Sequence, residues 1–346
     1  MQRRKFLKLG GASVASAALG TGLINWAPRA EAAVINKTYY ITAGTMIMPD
    51  GVSVYLQGFS DSSSTLTVPG SSIVCQEGDT LNISVVNRLT KTHNFVIAGL
   101  RTGDPAKTND APLASTGNIA PGATGSISLN LLKGMAGTYM FYDNVTPYNR
   151  YMGLHGAIGI MPSGAPQQLY AGSPAFVHQL FWVFNDIDPR LNSAVQTGGA
   201  IPTSLTPRYF TINGLTSIPP RAVGNGDPNR DAMANLRTML QGGIGDRTLI
   251  RMINAGPASH AVHTHGNHME WLTNNGTVRP AVWKKDILYL RNNLGKNDAI
   301  FPFELPPDAY PAVRSGHYPM HLHDEMTQTA GGGSYLFGAM TEIIFI

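Results

Sequence analysis

The chain has 346 residues, of which 13% are charged, with 38 glycines and 23 prolines. This composition favours strands and turns over helices, and the length fits two domains better than one. The formal net charge is +4, but the first 33 residues alone carry five basic residues and one acidic residue, so the remainder is formally neutral. A neutral remainder gives no basis for binding nucleic acid or a membrane surface, and a single cysteine excludes an internal disulfide framework.

The amino terminus has the pattern of an export signal. Arg3 and Arg4 lie ahead of an apolar run rich in small residues, which closes on an Ala-Glu-Ala-Ala segment at 30–33. The arginine pair resembles the twin-arginine signals of proteins exported in folded form, and an ordinary secretory leader is the alternative. We expect residues 1–33 to be removed, so that the mature protein begins near Val34 in the periplasm or outside the cell. Glycines and serines within the run predict that it forms no stable membrane span.

Strand-like alternation follows almost throughout. Apolar and polar residues alternate in Lys37–Ala43, Val52–Gln57 and Thr80–Asn87, which is the period of a half-buried strand. Short strands separated by turn clusters predict an all-β fold of Greek-key sandwiches or barrels. The segment Arg230–Gln241 has the best helical pattern and predicts a short helix in a connection.

An internal repeat divides the chain. A Gly-Asp turn followed by an apolar strand that ends in asparagine occurs at Glu77–Asn87 and again at Ile244–Asn254. Two copies of one β-domain explain this pattern. A connection rich in Pro, Gly and Ser at 162–174 predicts the boundary, so we expect domains at 34–165 and 175–346.

Histidines concentrate in two segments of the second repeat. His263 and His265 point to the same face if their segment is a strand, and His321 and His323 repeat the arrangement. Two imidazoles on one face are natural ligands for copper or zinc, and two such pairs converge if the strands are neighbours. The sequence therefore predicts a metal site, with polar, solvent-facing histidines as the alternative. Further histidines flank these pairs, namely His260, His268 and His317.

These segments resemble the last domain of the multicopper oxidases. Arg251–Gly256 followed by His260, His263 and His265 is similar to the family signature in which the first histidine binds the type 1 copper and the pair binds the trinuclear cluster. Gly316–His323 is similar to the closing His-Cys-His strand of the family. The resemblance implies two cupredoxin-like domains with copper as the cofactor.

The sequence departs from the family at the type 1 copper. Leu322 stands where the family has its cysteine, Thr327 stands at the next histidine, and Met340 is the candidate for the axial methionine. Without a thiolate ligand, we expect no blue-copper electron-transfer site. The only cysteine, Cys75, lies near the start of a strand in the first domain.

The first domain departs from the family as well. The positions that align with the two pairs of histidine ligands in the family are Val96 with Ala98 and Tyr142 with Asn144, so neither pair contains a histidine. A complete trinuclear cluster takes eight histidines and this chain supplies four. We therefore do not expect this chain by itself to reduce dioxygen to water. We expect a half-site that binds one or two copper ions, with zinc and nickel as open alternatives.

Other residues and partners follow from the same resemblance. Asp324 and Glu325 are placed to orient the imidazoles through their second ring N–H, although solvent-exposed carboxylates are the other interpretation. In two-domain members the cluster lies between subunits, so the resemblance implies a homotrimer, or a heteromeric partner that completes the site. The four first-domain positions of a neighbouring chain would then face the half-site. A second, soft copper(I) site is conceivable in the first domain, with core packing as its alternative, from His93, Met140, Met152 and His155.

Three functions agree with these residues. The leading expectation is an exported copper-binding protein with copper-dependent oxidoreductase activity. The alternatives are a non-catalytic protein for copper storage or tolerance, and a metal-free structural or assembly subunit. No motif assigns a catalytic residue or a substrate.

Overall fold

The computed structural model describes residues 23–25, 31–99, 113–165, 167–217, 235–305, 316–329 and 338–346. Strands dominate these ranges, so the all-β prediction is confirmed. In chain order the elements are β1 (Leu23–Asn25), β2 (Val34–Ile47), β3 (Ser53–Ser60), β4 (Gly70–Gln76), β5 (Thr80–Asn87), β6 (Val96–Ile97), β7 (Ala114–Ser115), β8 (Thr124–Asn130), β9 (Gly137–Tyr142), β10 (His155–Met161), β11 (His178–Ile187), α1 (Pro189–Thr197), β12 (Tyr209–Ile212), β13 (Leu240–Gly242), β14 (Thr248–Asn254), β15 (His260–Thr264), β16 (Met269–Asn274), β17 (Thr277–Lys285), β18 (Ile287–Leu290), β19 (Gly295–Phe301), β20 (Gly316–Leu322), a 3-10 helix (Glu325–Gln328) and β21 (Met340–Phe345).

Two sheets form the N-terminal half, residues 34–161. One has the order β3-β2-β5-β8 and the other β4-β10-β9-β6-β7. Alternating side chains of both sheets meet in a core that contains Tyr39, Phe59, Phe95 and Phe141, whose ring centroids lie 4.8–6.2 Å apart. Cys75 is buried in this core, where its thiol lies 3.7 Å from the carbonyl oxygen of Gly159. The predicted strands in this half are confirmed as β2, β3 and β5.

Two further sheets form the C-terminal half, residues 178–345. The first has the order β1-β11-β14-β19-β16-β17, with β12 also paired to β11, and the second has the order β13-β21-β20-β15-β18. Trp182, Phe301 and Phe345 are buried in the core between them. The two copies of the predicted repeat lie in β5 and β14. The domain boundaries drawn from the sequence stay a prediction.

A third apolar cluster joins the two halves. Val96 and Tyr142 from the N-terminal half pack in this cluster with Val183 and Ile253 from the C-terminal half. The sheet β4-β10-β9-β6-β7 of the N-terminal half therefore faces the sheet that contains β11 and β14 in the C-terminal half. The five-stranded sheet of the C-terminal half has one face on the core of that half, and its opposite face points outward. That outer face carries the histidines of interest.

The helix in this fold lies where the sequence interpretation placed none. α1 begins after Asp188, whose side chain accepts a hydrogen bond from the Arg190 amide, and Gly198 ends it in the left-handed conformation. The predicted helix at Arg230–Gln241 is wrong for its described residues, because Leu240 begins β13 and pairs in parallel with Ile343. Burial in the core outweighs the local helical pattern there. Residues 230–234 lie outside the described residues.

Part of the predicted leader contributes a strand. β1 pairs antiparallel with β11, and Ile24 is buried in the cluster between the halves. Residues 1–22 and 26–30 lie outside the described residues. In the part of the chain that the structure describes, no helix is long and apolar enough to cross a bilayer.

Among the strands that the structure describes, none pairs with one edge of the larger C-terminal sheet. β17 is the last strand in its sheet, and almost all of its residues are exposed. Across the β16–β17 pair, the guanidinium of Arg279 lies 3.7 Å from the ring centroid of Trp271 and 4.4 Å from that of Trp283. These cation–π contacts hold the exposed hairpin together.

Stability should fall in mild acid because of His155. This side chain is buried in β10, where its Nδ1–H donates to the carbonyl of Arg150 over 2.8 Å. Burial lowers the pKa of His155 to about 4, whereas an unfolded histidine titrates near 6.5. The folded chain therefore binds this proton more weakly than the unfolded chain. Neutral His155 thereby contributes about 3 kcal/mol to the free energy of unfolding. This contribution is complete above about pH 6.5 and is lost as the pH falls towards 4.

Urea unfolding at pH 7.5 and pH 4.5 measures this effect. His155→Gln should reduce the loss of stability between the two pH values by up to about 3 kcal/mol. The exposed His268 provides the matched control, since His268→Gln should leave the wild-type loss in place. An unchanged pH dependence in His155→Gln would show that His155 is not responsible.

Candidate metal centre

Neighbouring antiparallel strands bring the predicted histidines together. β15 pairs with β20, and His263 lies directly opposite His321. Side chains alternate along both strands, so Val262 and Leu322 enter the core while the histidines face outward. His265 and His323 follow His263 and His321 by two residues each, so they lie on the same outward face.

Three of the four imidazoles converge, and the fourth packs against two of them. One ring nitrogen from each of His263, His265 and His321 lies within 4.8 Å of the others. The Nε2 atoms of His265 and His321 are 3.3 Å apart, a separation that two ligands of one ion bonded at about 2.0–2.1 Å can adopt. The ring of His323 stacks on that of His263 with centroids 5.1 Å apart. We call this group the four-histidine site.

The protonation of the site suits a cation. Burial lowers the pKa of His263 to about 4, and the neighbouring imidazoles act in the same direction. The pKa of His321 is lowered as well, again chiefly by burial. These rings are therefore neutral near pH 7 and keep the lone pairs that a metal ion needs.

Hydrogen bonds point to the ligand atoms. Nδ1–H of His321 donates to the carbonyl of Leu322 over 3.1 Å, which leaves Nε2 directed at His265. Nδ1 of His263 is buried without a hydrogen-bond partner among the described residues. A buried nitrogen in this state calls for an ion or a water molecule. Four imidazoles with such an atom fit a copper ion, and their chemistry also suits zinc and nickel.

His260 takes no part in this convergence. It points inward with 0% exposure, and its Nε2 lies 2.8 Å from a carboxylate oxygen of Asp186. Its Nδ1 lies 3.9 Å from a carboxylate oxygen of Asp324. Burial by itself lowers the pKa of His260, but the two carboxylates outweigh burial and raise it to about 9. The interaction with His260 in turn lowers the pKa of Asp324.

The positions of the family's type 1 copper do not gather into one site. Leu322 is buried in the core, and the hydroxyl of Thr327 donates to the backbone oxygen of Asp324 over 2.6 Å. Met340 lies opposite His321, on the outer face of the sheet, whereas His260 lies on the inner face. Met340 is thus a neighbour of the four-histidine site and not of His260.

The remaining candidates are exposed side chains. His268 and Glu325 are exposed, and Glu325 acts electrostatically on His321. His317 is also exposed, and its Nδ1 lies 3.0 Å from the carboxylate of Glu342. A carboxylate oxygen of Asp324 lies 3.9 Å from Nδ1 of His260, and its role in orienting the imidazoles stays a prediction.

The first-half positions do not face a neighbouring chain as expected. Val96 and Tyr142 are buried against the C-terminal half of the same chain, and Ala98 packs partly buried beside them. Asn144 is exposed. The expectation therefore fails for Val96 and Tyr142, because the hydrophobic contact between the halves covers them.

Both histidines of the predicted soft copper site bond to other groups through Nδ1. Nδ1 of His93 lies 2.6 Å from a carboxylate oxygen of Asp143, and both side chains are buried. Nδ1 of His155 bonds to a backbone carbonyl. Met140 belongs to the cluster between the halves, so it faces away from the core of its own half. The carboxylates Asp143 and Asp186 were missed in the sequence, since neither lies near its histidine in the chain.

Comparisons with known proteins agree with the sequence resemblance. The sequence model of the multicopper oxidase family matches residues 62–164. A search of curated proteins found no match.

Solved structures match most of the chain. The multicopper oxidase mgLAC is 19% identical, with 90% of this chain and 86% of that chain covered and a TM-score of 0.66. The blue copper oxidase from Nitrosomonas europaea is 19% identical, with 90% and 85% covered and a TM-score of 0.65. The copper nitrite reductase from the same organism is 16% identical, with 90% and 94% covered and a TM-score of 0.62. The chain therefore has the cupredoxin-like fold of these copper proteins, and the resemblance to multicopper oxidases is confirmed.

Proposed function

We propose that this chain is an exported copper-binding protein of the multicopper oxidase type, with copper held by the four-histidine site. The observation that carries the proposal is the convergence of ring nitrogens from His263, His265 and His321 within 4.8 Å, beside His323. The lowered pKa values of His263 and His321 support it, because protons then do not compete with a metal ion near pH 7.

Copper bound at this site would supply one-electron redox chemistry. The imidazoles would hold the ion on the outer face of the sheet, where His323 is exposed in the single chain. Leu322 packs in the core where a thiolate would be needed, so we propose that no type 1 copper feeds electrons to the site. We therefore propose a copper-dependent oxidoreductase with an incomplete set of copper ions.

A partner subunit is part of the proposal. The four-histidine site lies on an outward face, while the equivalent face of the N-terminal half is covered by its own chain. We propose that a homotrimer, or a heteromeric partner, covers the histidine face. Light scattering of the purified protein tests this, since a strict monomer would oppose it.

The test of the function is metal content and EPR of the chain from Val34 onward after reconstitution with copper. A quadruple alanine variant of the four-histidine site should lose the copper that the wild type binds. The matched control replaces the exposed His268 and His317 by alanine and should keep the copper. EPR then separates an isolated Cu(II) ion from a coupled, silent pair.

Each outcome selects one function. Turnover of phenols or of reduced metal ions by the copper-loaded protein supports the oxidoreductase, while bound copper without turnover supports storage or tolerance. Equal copper in wild type and the quadruple variant would refute the metal site. A metal-free structural subunit would then be the remaining function.

A further inference from the structure

We propose that His260 is a positioning residue of the four-histidine site, which acts through Asp324 on the imidazole of His323. The inference rests on the proposed copper function. It gives a role to a buried histidine that the four-histidine site itself leaves out.

The anchor of this arrangement is the contact between His260 and Asp186. One carboxylate oxygen of Asp186 lies 2.8 Å from Nε2 of His260, and the other accepts the backbone N–H of Ala258 over 2.9 Å. The rings of Phe184 and Phe210 pack against the imidazole, each with its centroid 6.3 Å from that of His260. The imidazole of His260 is therefore fixed in one orientation inside the core.

The other ring nitrogen faces the segment that carries His323. Among the described residues, Nδ1 of His260 has no hydrogen-bond partner within 3.5 Å, and a carboxylate oxygen of Asp324 lies 3.9 Å away. The backbone N–H of His323 donates to the carbonyl of Ala261 over 2.8 Å. Both the N–H and the hydroxyl of Thr327 donate to the backbone oxygen of Asp324.

These contacts connect the turn after β20 to β15, on the side of β15 where His260 is buried. Asp324 directly follows His323, so a shift of its carboxylate away from His260 would also shift the backbone of His323. The backbone in turn sets the stacking of His323 on His263, whose ring planes differ by 9°. Replacing a residue that orients a metal ligand without binding the metal typically lowers metal affinity by about 10–100-fold.

The N-terminal half provides an internal reference. His93 follows Asn87 by six residues, as His260 follows Asn254, and it too contacts a buried carboxylate, that of Asp143. Asp143 also accepts hydrogen bonds from the backbone N–H groups of Asn94 and Val145. This pair does not lead to a histidine of the four-histidine site.

The experiment compares His260→Gln with His93→Gln. Each variant removes one buried histidine from a carboxylate, so each should lose stability in urea. Only His260→Gln should weaken copper binding, by about tenfold, and alter the nitrogen hyperfine pattern of the Cu(II) EPR signal. His93→Gln should keep the affinity and the spectrum of the wild type.

A double-mutant cycle with His323→Ala identifies the route. In the His323→Ala background, His260→Gln should have no further effect on copper affinity, because the ligand that it positions is gone. Full additivity of the two losses would overturn the role of His323. If His260→Gln does not fold, Asp324→Asn, at an exposed position, replaces it in both comparisons.

The outcomes separate this inference from the function on which it rests. A wild type that binds no copper refutes the copper function itself. A wild type that binds copper, together with variants at His260 and Asp324 that keep its affinity and spectrum, refutes the positioning role alone.

Discussion

Replacing His263 by alanine should weaken copper binding more than replacing His323. His263, like His321, makes ring contacts with each of the other three histidines, and burial lowers its pKa to about 4. Its loss removes one of the two central ligands around which the others close. We expect a loss of more than about 100-fold, beyond the range typical of residues that only support a ligand.

Competition titrations with a chromophoric copper chelator measure this loss. His323→Ala should cost only about tenfold, because that ligand is exposed at the rim of the site. The exposed His268 is again the control, and His268→Ala should keep the wild-type affinity. An equal loss in His263→Ala and His323→Ala would contradict the central place of His263.

Replacing Asp298 by asparagine should destabilise the fold by about 3 kcal/mol. Asp298 on β19 lies opposite Arg251 on β14, and both side chains are buried. Thr138 of the N-terminal half bridges them, since its hydroxyl donates to Asp298 and accepts from Arg251 over 2.7 Å. Burial lowers the pKa of Arg251 only to about 10, so the guanidinium stays charged and needs the carboxylate.

Urea unfolding at pH 7.5 compares this variant with two others. Glu304→Gln breaks an ion pair with Lys284 in which both side chains are about half exposed, and it should cost less than about 1 kcal/mol. Adding Arg251→Met to Asp298→Asn should recover part of the loss, because it removes the unpaired buried charge. A cost for Asp298→Asn as small as that for Glu304→Gln would contradict this account.

The period of two in strands explains why the four-histidine site could be predicted. His263 and His265 alternate with buried residues, as do His321 and His323, so the sequence alone places each pair on one face. The pairing of β15 with β20 was only a condition of that prediction, and the structure supplies it.

Contacts between distant segments explain what the sequence did not show. Asp186 lies 74 residues from His260, and no local pattern connects them. The burial of Val96 and Tyr142 depends on how the two halves pack, which the alternation within one strand does not encode. The helix α1 did have a local signal, because Asp188 and Pro189 form a typical helix start.

The open edge at β17 has a consequence for solubility. A strand with an unpaired edge is a template on which other chains can add strands and aggregate. Pro280 lacks the amide hydrogen that such pairing needs, and Arg279, Lys284 and Lys285 place positive charge along the same strand. These residues therefore oppose the addition of a further strand at this edge.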